Sequence, residues 1–279
     1  FMLAVFSSVV LYGISLTFPL NEQVGFEFRY GISIVVIVGV VILLTSFLFT
    51  GPKGSFWGLT SILILFGLPL NALWSSGISE PNIIGGLLPW SDSAQYLEGA
   101  IQLISKSTLT AGASERPLFP NLAAFLLVIT QYNLKLSLAI IVAANAICCY
   151  LFARELRSHH GTIATVVMVL IAFLFYRRFS GSFLTENLGF ALGMLALTFL
   201  WRGATYKNLL FFALGLFLLT SALIARAGAF LTLPILLVWG WWHFIDQDYS
   251  RQKLAIILLL AILSGFAFNA LTAGIVRHN

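Results

Sequence analysis

The chain has 279 residues, of which 59% are hydrophobic and 9% are charged, and its mean hydropathy is +0.98. Soluble domains carry about 25% charged residues because water must wet their surfaces. This composition therefore excludes a cytosolic enzyme, a nucleic-acid-binding module and a secreted disulfide scaffold. The formal charge of +5 is small and its cations are scattered, so no nucleic-acid partner is predicted. We expect an all-α protein that crosses a membrane several times.

The apolar runs predict about nine crossings, because a spanning helix needs about 20 apolar residues. In chain order the runs cover 1–20, 31–50, 57–74, 136–153, 162–176, 187–201, 208–224, 228–244 and 254–272. The stretch 209–244 is too long for one crossing, and its only break, at 225–228, places Arg226 at a membrane face between two helices. We expect residues 1–279 to form one transmembrane module. Because the chain opens inside one apolar run and stops just after another, we also expect a fragment of a longer protein.

One apolar run, 119–130, is predicted not to cross the membrane. It is short and is entered through Pro117 and Pro120, which favours a re-entrant or interfacial segment. Leaving it out of the count puts a predicted loop at 153–161 with other basic loops on one side, which the positive-inside rule makes cytoplasmic. The opposite side holds most of the acids, and it also holds Arg29, Arg116, Arg177, Arg178 and Arg226. Either the topology differs, or some of these outer-face arginines serve a function.

The longest polar interval, residues 75–118, is predicted to be an extracytoplasmic loop, and we call it the outer loop. An i, i+3, i+4, i+7 pattern predicts an amphipathic helix along the membrane surface, formed on Leu97, Ala100, Ile101 and Ile104. Asp92 stands where this helix would begin, and Gln95 follows three residues later. Two interpretations of Asp92 remain: an N-cap in a capping box, or a catalytic carboxylate at the membrane–water boundary.

Two further polar clusters could carry chemistry. Arg116 follows an acid and precedes two prolines. This segment is either a surface turn or the position of a guanidinium that binds phosphate. Arg177 and Arg178 precede Glu186, which opens a predicted spanning helix. Glu186 either complements the helix dipole or belongs to a functional group of ionisable residues at membrane depth. On the same helix, the G-x-x-x-G spacing of residues 189–193 predicts close helix packing.

The order of these motifs resembles that of the GT-C glycosyltransferases of the protein O-mannosyltransferase and aminoarabinose-transferase type. A spanning helix leads into W-S-D-S-A-Q-Y-L-E-G-A, then R-P-L-F-P, two further crossings and T-E-N-L-G. Asp92 with Tyr96, the stretch 116–120 and Glu186 match the family pattern, over residues 57–245. The chain departs from the family pattern in two respects. Two apolar runs precede the helix that leads into the outer loop, and the second acid is Glu where relatives often have Asp.

The resemblance implies a polytopic membrane enzyme that transfers a sugar from a polyprenyl-phosphate carrier to a hydroxyl of a lipid, glycan or protein acceptor, with inversion. It implies a catalytic pair, with Asp92 as general base and Glu186 as a second acidic group. As substrate-binding residues we expect Tyr96, Arg116, Arg177, Arg178 and Arg226. A divalent metal is left open. The site is expected to face outward from a bacterial inner (plasma) membrane, and the alternative function is a transporter or flippase of lipid-linked sugars.

Overall fold

The structure is a computed structural model that describes residues 2–49, 51–246 and 250–277; predictions that touch residues 1, 50, 247–249, 278 and 279 lie outside the described residues there. Helices dominate, as the composition predicts. The first are α1 (Met2–Thr17), α2 (Glu22–Arg29), α3 (Ser33–Leu48) and α4 (Gly51–Ser76). The outer loop and the segment after it form β1 (Ile83–Ile84), β2 (Leu88–Pro89), α5 (Ser91–Lys106), α6 (Ala111–Ser114) and α7 (Leu118–Ile129). The rest forms α8 (Leu134–Tyr176), α9 (Thr185–Thr205), α10 (Leu209–Ala225), α11 (Thr232–Phe244) and α12 (Arg251–Arg277).

Several helices are suited to a membrane. Within the described ranges, four are long and apolar enough to cross one: Gly51–Ser76, Leu134–Tyr176, Thr185–Thr205 and Arg251–Gly274. Helices α2 and α3, bent by 81°, would make a fifth span as a pair. These helices are those of an all-α, multi-pass membrane protein, but they do not confirm nine crossings. The predicted runs at α1, α3, α10 and α11 form helices of 16, 16, 17 and 13 residues, shorter than the roughly 20 residues of a full span.

A glycine divides α8 into two limbs that correspond to the predicted runs 136–153 and 162–176. Gly161 has φ 79° and ψ −176°, a conformation that glycine adopts most readily. Tyr12, which packs against Gly67 of α4, donates its hydroxyl to the carbonyl of Ala139 at 3.0 Å, and the neighbouring Phe66 of α4 stacks on Tyr176 at 5.3 Å. One straight helix would hold Ala139 and Tyr176 about 55 Å apart at about 1.5 Å per residue. The second limb therefore folds back along the first.

The predicted loop at 153–161 is wrong, because the first limb of α8 stays helical as far as the Gly161 break. Its charged residues are arginine and glutamate, which are good helix formers, so their polarity does not end the helix. Glu155 is buried and pairs with Arg202 of α9 at 3.3 Å. The ion pair fixes this end of the bundle.

Aromatic packing in the centre of the bundle joins α4, α8 and α9. The buried ring of Phe66 lies 5.3 Å from the ring of Tyr176, and Phe190 lies 4.8 Å from Tyr176. The Tyr176 hydroxyl donates to Oδ1 of Asn187 at 2.8 Å, and Nδ2 of Asn187 donates to a carbonyl of the connection 177–184 at 2.8 Å. These contacts fix the connection between α8 and α9. A second cluster, centred on the buried ring of Phe212, packs α10 against α11 and α12.

The outer loop folds over one end of this bundle. Strands β1 and β2 pair antiparallel, Ile84 opposite Leu88, and lead into α5. The predicted amphipathic helix is confirmed as α5: Ala100 is fully buried, and only Ile101 of the four apolar positions is exposed. The non-spanning run at 119–130 corresponds to α7, 12 residues long, which packs beneath α5.

Candidate functional site

A cavity of about 600 Å³ lies where the outer loop meets the ends of α2, α8, α9 and α10. Its wall is strongly charged, and it gathers five of the seven residues predicted as site residues: Asp92, Arg177, Arg178, Glu186 and Arg226. It also contains three ionisable side chains that were not among the predicted site residues, namely Arg29, Tyr30 and Glu80. Residues that are far apart in the sequence, from 29 to 226, are therefore gathered around one cavity.

Arg29 is a structural clamp at the floor of the cavity. It is 3% exposed, and its Nε and Nη2 atoms donate to the two carboxylate oxygens of Glu80, the second at 2.6 Å. Its Nη1 donates to the carbonyls of Pro69 at 3.3 Å and Ser180 at 3.1 Å. One guanidinium thus ties α2 to α4, to the outer loop and to the α8–α9 connection. Every nitrogen of its fork has a protein acceptor, so Arg29 is not free for a ligand.

Tyr30 completes this clamp by donating its hydroxyl to Glu80. Burial raises the pKa of the Glu80 carboxyl, but the hydrogen bonds and charge of Arg29 outweigh burial and hold the pKa below its ordinary range. Burial, and then the Glu80 carboxylate, raise the pKa of Tyr30. Glu80 is therefore kept ionised as a partner of Arg29.

Arg177 also serves the fold. Its Nη1 donates to the carbonyls of Gly31 and, at 3.3 Å, Phe28, and its Nη2 donates to the carbonyl of Tyr30 at 3.4 Å. A cation at the C-terminal end of α2 stabilises the carbonyls that the helix leaves unpaired. Burial, and then the charges of Arg178 and Arg29, lower the pKa of the Arg177 guanidinium. Although Arg177 lies in the cavity wall, both of its terminal nitrogens are engaged by backbone.

Arg178 differs from its neighbour. Its side chain is exposed within the cavity and makes no hydrogen bond or ion pair with any residue that the structure describes. Because no described residue neutralises its charge, the Arg178 guanidinium is available to bind an anion that enters the cavity.

Asp92 is the free carboxylate of the cavity. It lies in the first turn of α5, and the N-cap is Trp90, which has no capping side-chain bond. The capping-box interpretation is therefore wrong: α5 begins one residue earlier than the periodicity predicts, and the Asp92 carboxylate makes no hydrogen bond or ion pair with any residue that the structure describes. Beside it, the buried Ser93 Oγ accepts from the backbone N–H of Phe183 at 2.8 Å. This bond positions the start of α5 against the α8–α9 connection.

Glu186 and Arg226 form an ion pair in the cavity wall. Oε1 of Glu186 lies 3.3 Å from Nη2 of Arg226, and Oε2 accepts from the Thr185 hydroxyl at 3.3 Å. Helices α9 and α10 approach closely here, since a Cβ on Gly189 would lie 2.9 Å from the Cβ of Arg226. The predicted glycine packing thus holds at Gly189, whereas Gly193 faces open space.

An apolar groove of about 460 Å³ adjoins the cavity. Its large apolar side chains include Phe175, Phe190, Leu219 and Leu223 of α8, α9 and α10. Three residues line both spaces: Phe179, Glu186 and Arg226. The charged cavity and the apolar groove therefore share part of their walls, and the Glu186–Arg226 ion pair lies in the shared part.

Two predicted site residues lie elsewhere. The ring of Tyr96 packs edge-on against Phe119 of α7, with centroids 5.8 Å apart, and does not line the cavity. Arg116 is half-buried at the turn before α7, where its backbone N–H donates to Ala113 at 3.3 Å, and it does not line the cavity either. The structure therefore separates these two residues from Asp92.

No metal centre is evident in the described part of the chain, since no three or more His, Cys, Asp or Glu side chains are grouped to hold an ion. No family model, curated protein or solved structure matches this sequence. The function must therefore be argued from the chemistry of the cavity and the groove.

Proposed function

We propose that this protein is a membrane glycosyltransferase. It moves a sugar from a polyprenyl-phosphate carrier to a hydroxyl of a lipid, glycan or protein acceptor, on the outward face of a bacterial inner membrane. The observation that supports this most directly is that a charged cavity, which holds an unpaired carboxylate, shares wall residues with an apolar groove. A substrate with a polar sugar and a phosphate joined to a long hydrocarbon chain needs a charged site beside an apolar one.

In the proposed reaction Asp92 is the general base. The acceptor hydroxyl oxygen attacks the anomeric carbon, and the bond from that carbon to the phosphate oxygen breaks with inversion. The electron pair leaves on the phosphate, and the hydroxyl proton passes to the Asp92 carboxylate. An exposed carboxylate with no described partner suits this role, because no hydrogen bond within the protein must be given up when it accepts the proton.

The phosphate is held by arginine. Of the four arginines predicted for this role, Arg178 and Arg226 line the cavity with donors to spare: Arg178 has no described partner, and Arg226 makes one ion-pair contact, with Glu186. The terminal nitrogens of Arg177 are bound to backbone carbonyls, and Arg116 lies outside the cavity. Positive charge beside the leaving oxygen stabilises the negative charge that develops there.

The hydrocarbon chain lies in the apolar groove. Phe175 is 56% exposed and Leu219 and Leu223 are half-buried, so this wall can contact a chain from the bilayer. Each methylene moved against an apolar wall contributes about 0.8 kcal/mol when it leaves water. For a chain arriving from lipid, that gain is absent, so the groove supplies alignment rather than affinity.

The test is transfer by membranes that contain the protein, supplied with radiolabelled polyprenyl-phosphate sugars. Asp92→Asn should abolish transfer, because the amide cannot accept the proton. Glu98→Gln is the matched control, since Glu98 is also an exposed acid of α5 but does not line the cavity. Transfer that survives Asp92→Asn would exclude Asp92 as the base. Binding of carrier lipid by the wild-type protein without transfer from any sugar would favour a transporter or flippase.

A further inference from the structure

The two arginine–glutamate pairs at the site are built in opposite ways. Arg29 and Glu80 form a two-pronged pair in which both carboxylate oxygens are bound. Arg226 and Glu186 share one contact of 3.3 Å, and no other described polar atom engages the Arg226 guanidinium. The side chain of Arg226 is 49% exposed, against 3% for Arg29. The first pair is closed, and the second leaves most of its donors unused.

We propose that Glu186 competes with a lipid phosphate for Arg226. The Glu186 carboxylate pairs with Arg226 until the phosphate displaces it. The ligand class is a phosphate ester with an apolar chain. That the ligand also carries a sugar rests on the proposed function. The exchange of a carboxylate for a phosphate at Arg226 does not. Glu186 would then be a positioning residue for Arg226 and not a catalytic acid.

The position of the pair supports this exchange. Glu186 and Arg226 line both the cavity and the groove, so a phosphate joined to a chain in the groove must arrive beside them. A guanidinium presents a planar fork that fits phosphate with two parallel hydrogen bonds. The single long contact to Glu186 satisfies only part of that fork.

Glu186 keeps two stabilising interactions when Arg226 turns away, although its side chain is only 12% exposed. It stands in the first turn of α9, a helix of 21 residues, where the helix dipole favours a negative charge. Its second oxygen keeps the hydrogen bond from Thr185. Arg226 is the C-cap of α10, at the start of the turn to α11, and its long exposed side chain can turn toward a new anion.

The competition acts differently on substrate and product. A donor phosphodiester carries one negative charge, whereas the monoester left after transfer carries about −1.5 to −2 at neutral pH. As the bond to the anomeric carbon breaks, the electron pair stays on the phosphate and its attraction for Arg226 grows relative to that of Glu186. The interaction is therefore stronger late in the reaction than in the ground state, which is the condition for it to raise the rate.

The test is equilibrium binding of farnesyl phosphate, with farnesol as the uncharged control, to the full chain in lipid nanodiscs. Glu186→Gln should bind farnesyl phosphate about two- to fivefold more tightly, the range expected for loss of a partly exposed competing pair. Arg226→Ala should bind it about tenfold more weakly. Farnesol should bind all forms equally, and Glu98→Gln should match the wild type. In steady-state transfer, Glu186→Gln should lower KM and also lower kcat.

Unchanged or weaker binding of farnesyl phosphate by Glu186→Gln overturns the competition, provided its unfolding temperature matches the wild type. If that variant is destabilised, Glu186→Asp replaces it, since the shorter acid cannot hold Arg226 at the same distance and should also bind more tightly. No binding by the wild-type protein would likewise overturn the proposal. Tighter binding without transfer by any form would refute the glycosyltransferase alone, and transfer without tighter binding would refute the competition alone.

Discussion

Nη2 of Arg29 lies 2.6 Å from Oε2 of Glu80, and this pair joins residues 51 positions apart at the floor of the cavity. Because Arg29 is buried, its charge depends on Glu80 for compensation. The acceptors of its third nitrogen, on α4 and the α8–α9 connection, make it the point at which four segments are held together. The geometry of the free residues Asp92 and Arg178 is therefore set by residues that do no chemistry themselves.

Removing one partner of this pair should destabilise the fold. Glu80→Ala leaves the Arg29 guanidinium buried without its counter-ion, at a cost of about 3 kcal/mol. Thermal unfolding of the detergent-solubilised protein measures this loss. Glu115→Ala is the control, because Glu115 is exposed and makes no ion pair within the described ranges. Equal unfolding temperatures for the two variants would contradict a clamping role.

The same pair should make stability depend on pH. The Glu80 pKa in the folded protein lies below its ordinary value of 4.5, so the ionised form stabilises the fold fully above that pH. This contribution is lost as the pH falls from 4.5 through the lower folded-state pKa. The unfolding-temperature difference between wild type and Glu80→Gln should be constant from about pH 8 to pH 5 and shrink below. A difference that grows on acidification would show the opposite linkage.

Cysteine labelling can test which end of the helical bundle faces outward. Lys106, at the end of α5, belongs to the predicted outer loop, and Lys53, in α4, belongs to one of the basic segments that the positive-inside rule makes cytoplasmic; both are exposed. An impermeant maleimide should label Lys106→Cys in intact cells, and Lys53→Cys only after permeabilisation. The native Cys148 and Cys149 are buried, which keeps the background low. The reverse pattern would place the cavity on the cytoplasmic side.

Arg178 and Arg116 should behave differently in transfer. Arg178→Ala removes a free guanidinium from the cavity and should raise KM for the polyprenyl-phosphate donor about tenfold. Arg116→Ala should leave KM unchanged, because Arg116 does not line the cavity. Donor titrations of the two variants at matched protein level decide this. A larger effect at Arg116 would move the phosphate site toward α7.

The helical framework was predictable because long apolar runs dominate local structure. The segments that became α4, α9 and α12 were located from composition alone, and the break at Arg226 was correct. The 153–161 segment was missed because charged residues do not end a helix when they find partners such as Arg202 in tertiary contact. The short pairing of β1 with β2 has too few residues to produce a pattern.

The site was only partly predictable. Arg178, Glu186 and Arg226 could be placed on one face because each borders a predicted spanning run, and Asp92 because it lies in the predicted outer loop. The only signal for Arg29 and Glu80 was the shared face, since nothing local relates residues so far apart. Arg177 and Arg178 are adjacent and chemically identical, yet only the fold decides that one binds backbone carbonyls while the other stays free.

The most direct test of the central claim separates chemistry from binding at Asp92. Purified protein in nanodiscs is given a radiolabelled polyprenyl-phosphate sugar and an acceptor extract, and farnesyl phosphate affinity is measured on the same preparations. The account predicts that Asp92→Asn binds farnesyl phosphate like the wild type and transfers no sugar. Wild-type rates of transfer by Asp92→Asn, or no transfer by the wild-type protein from any carrier, would contradict it.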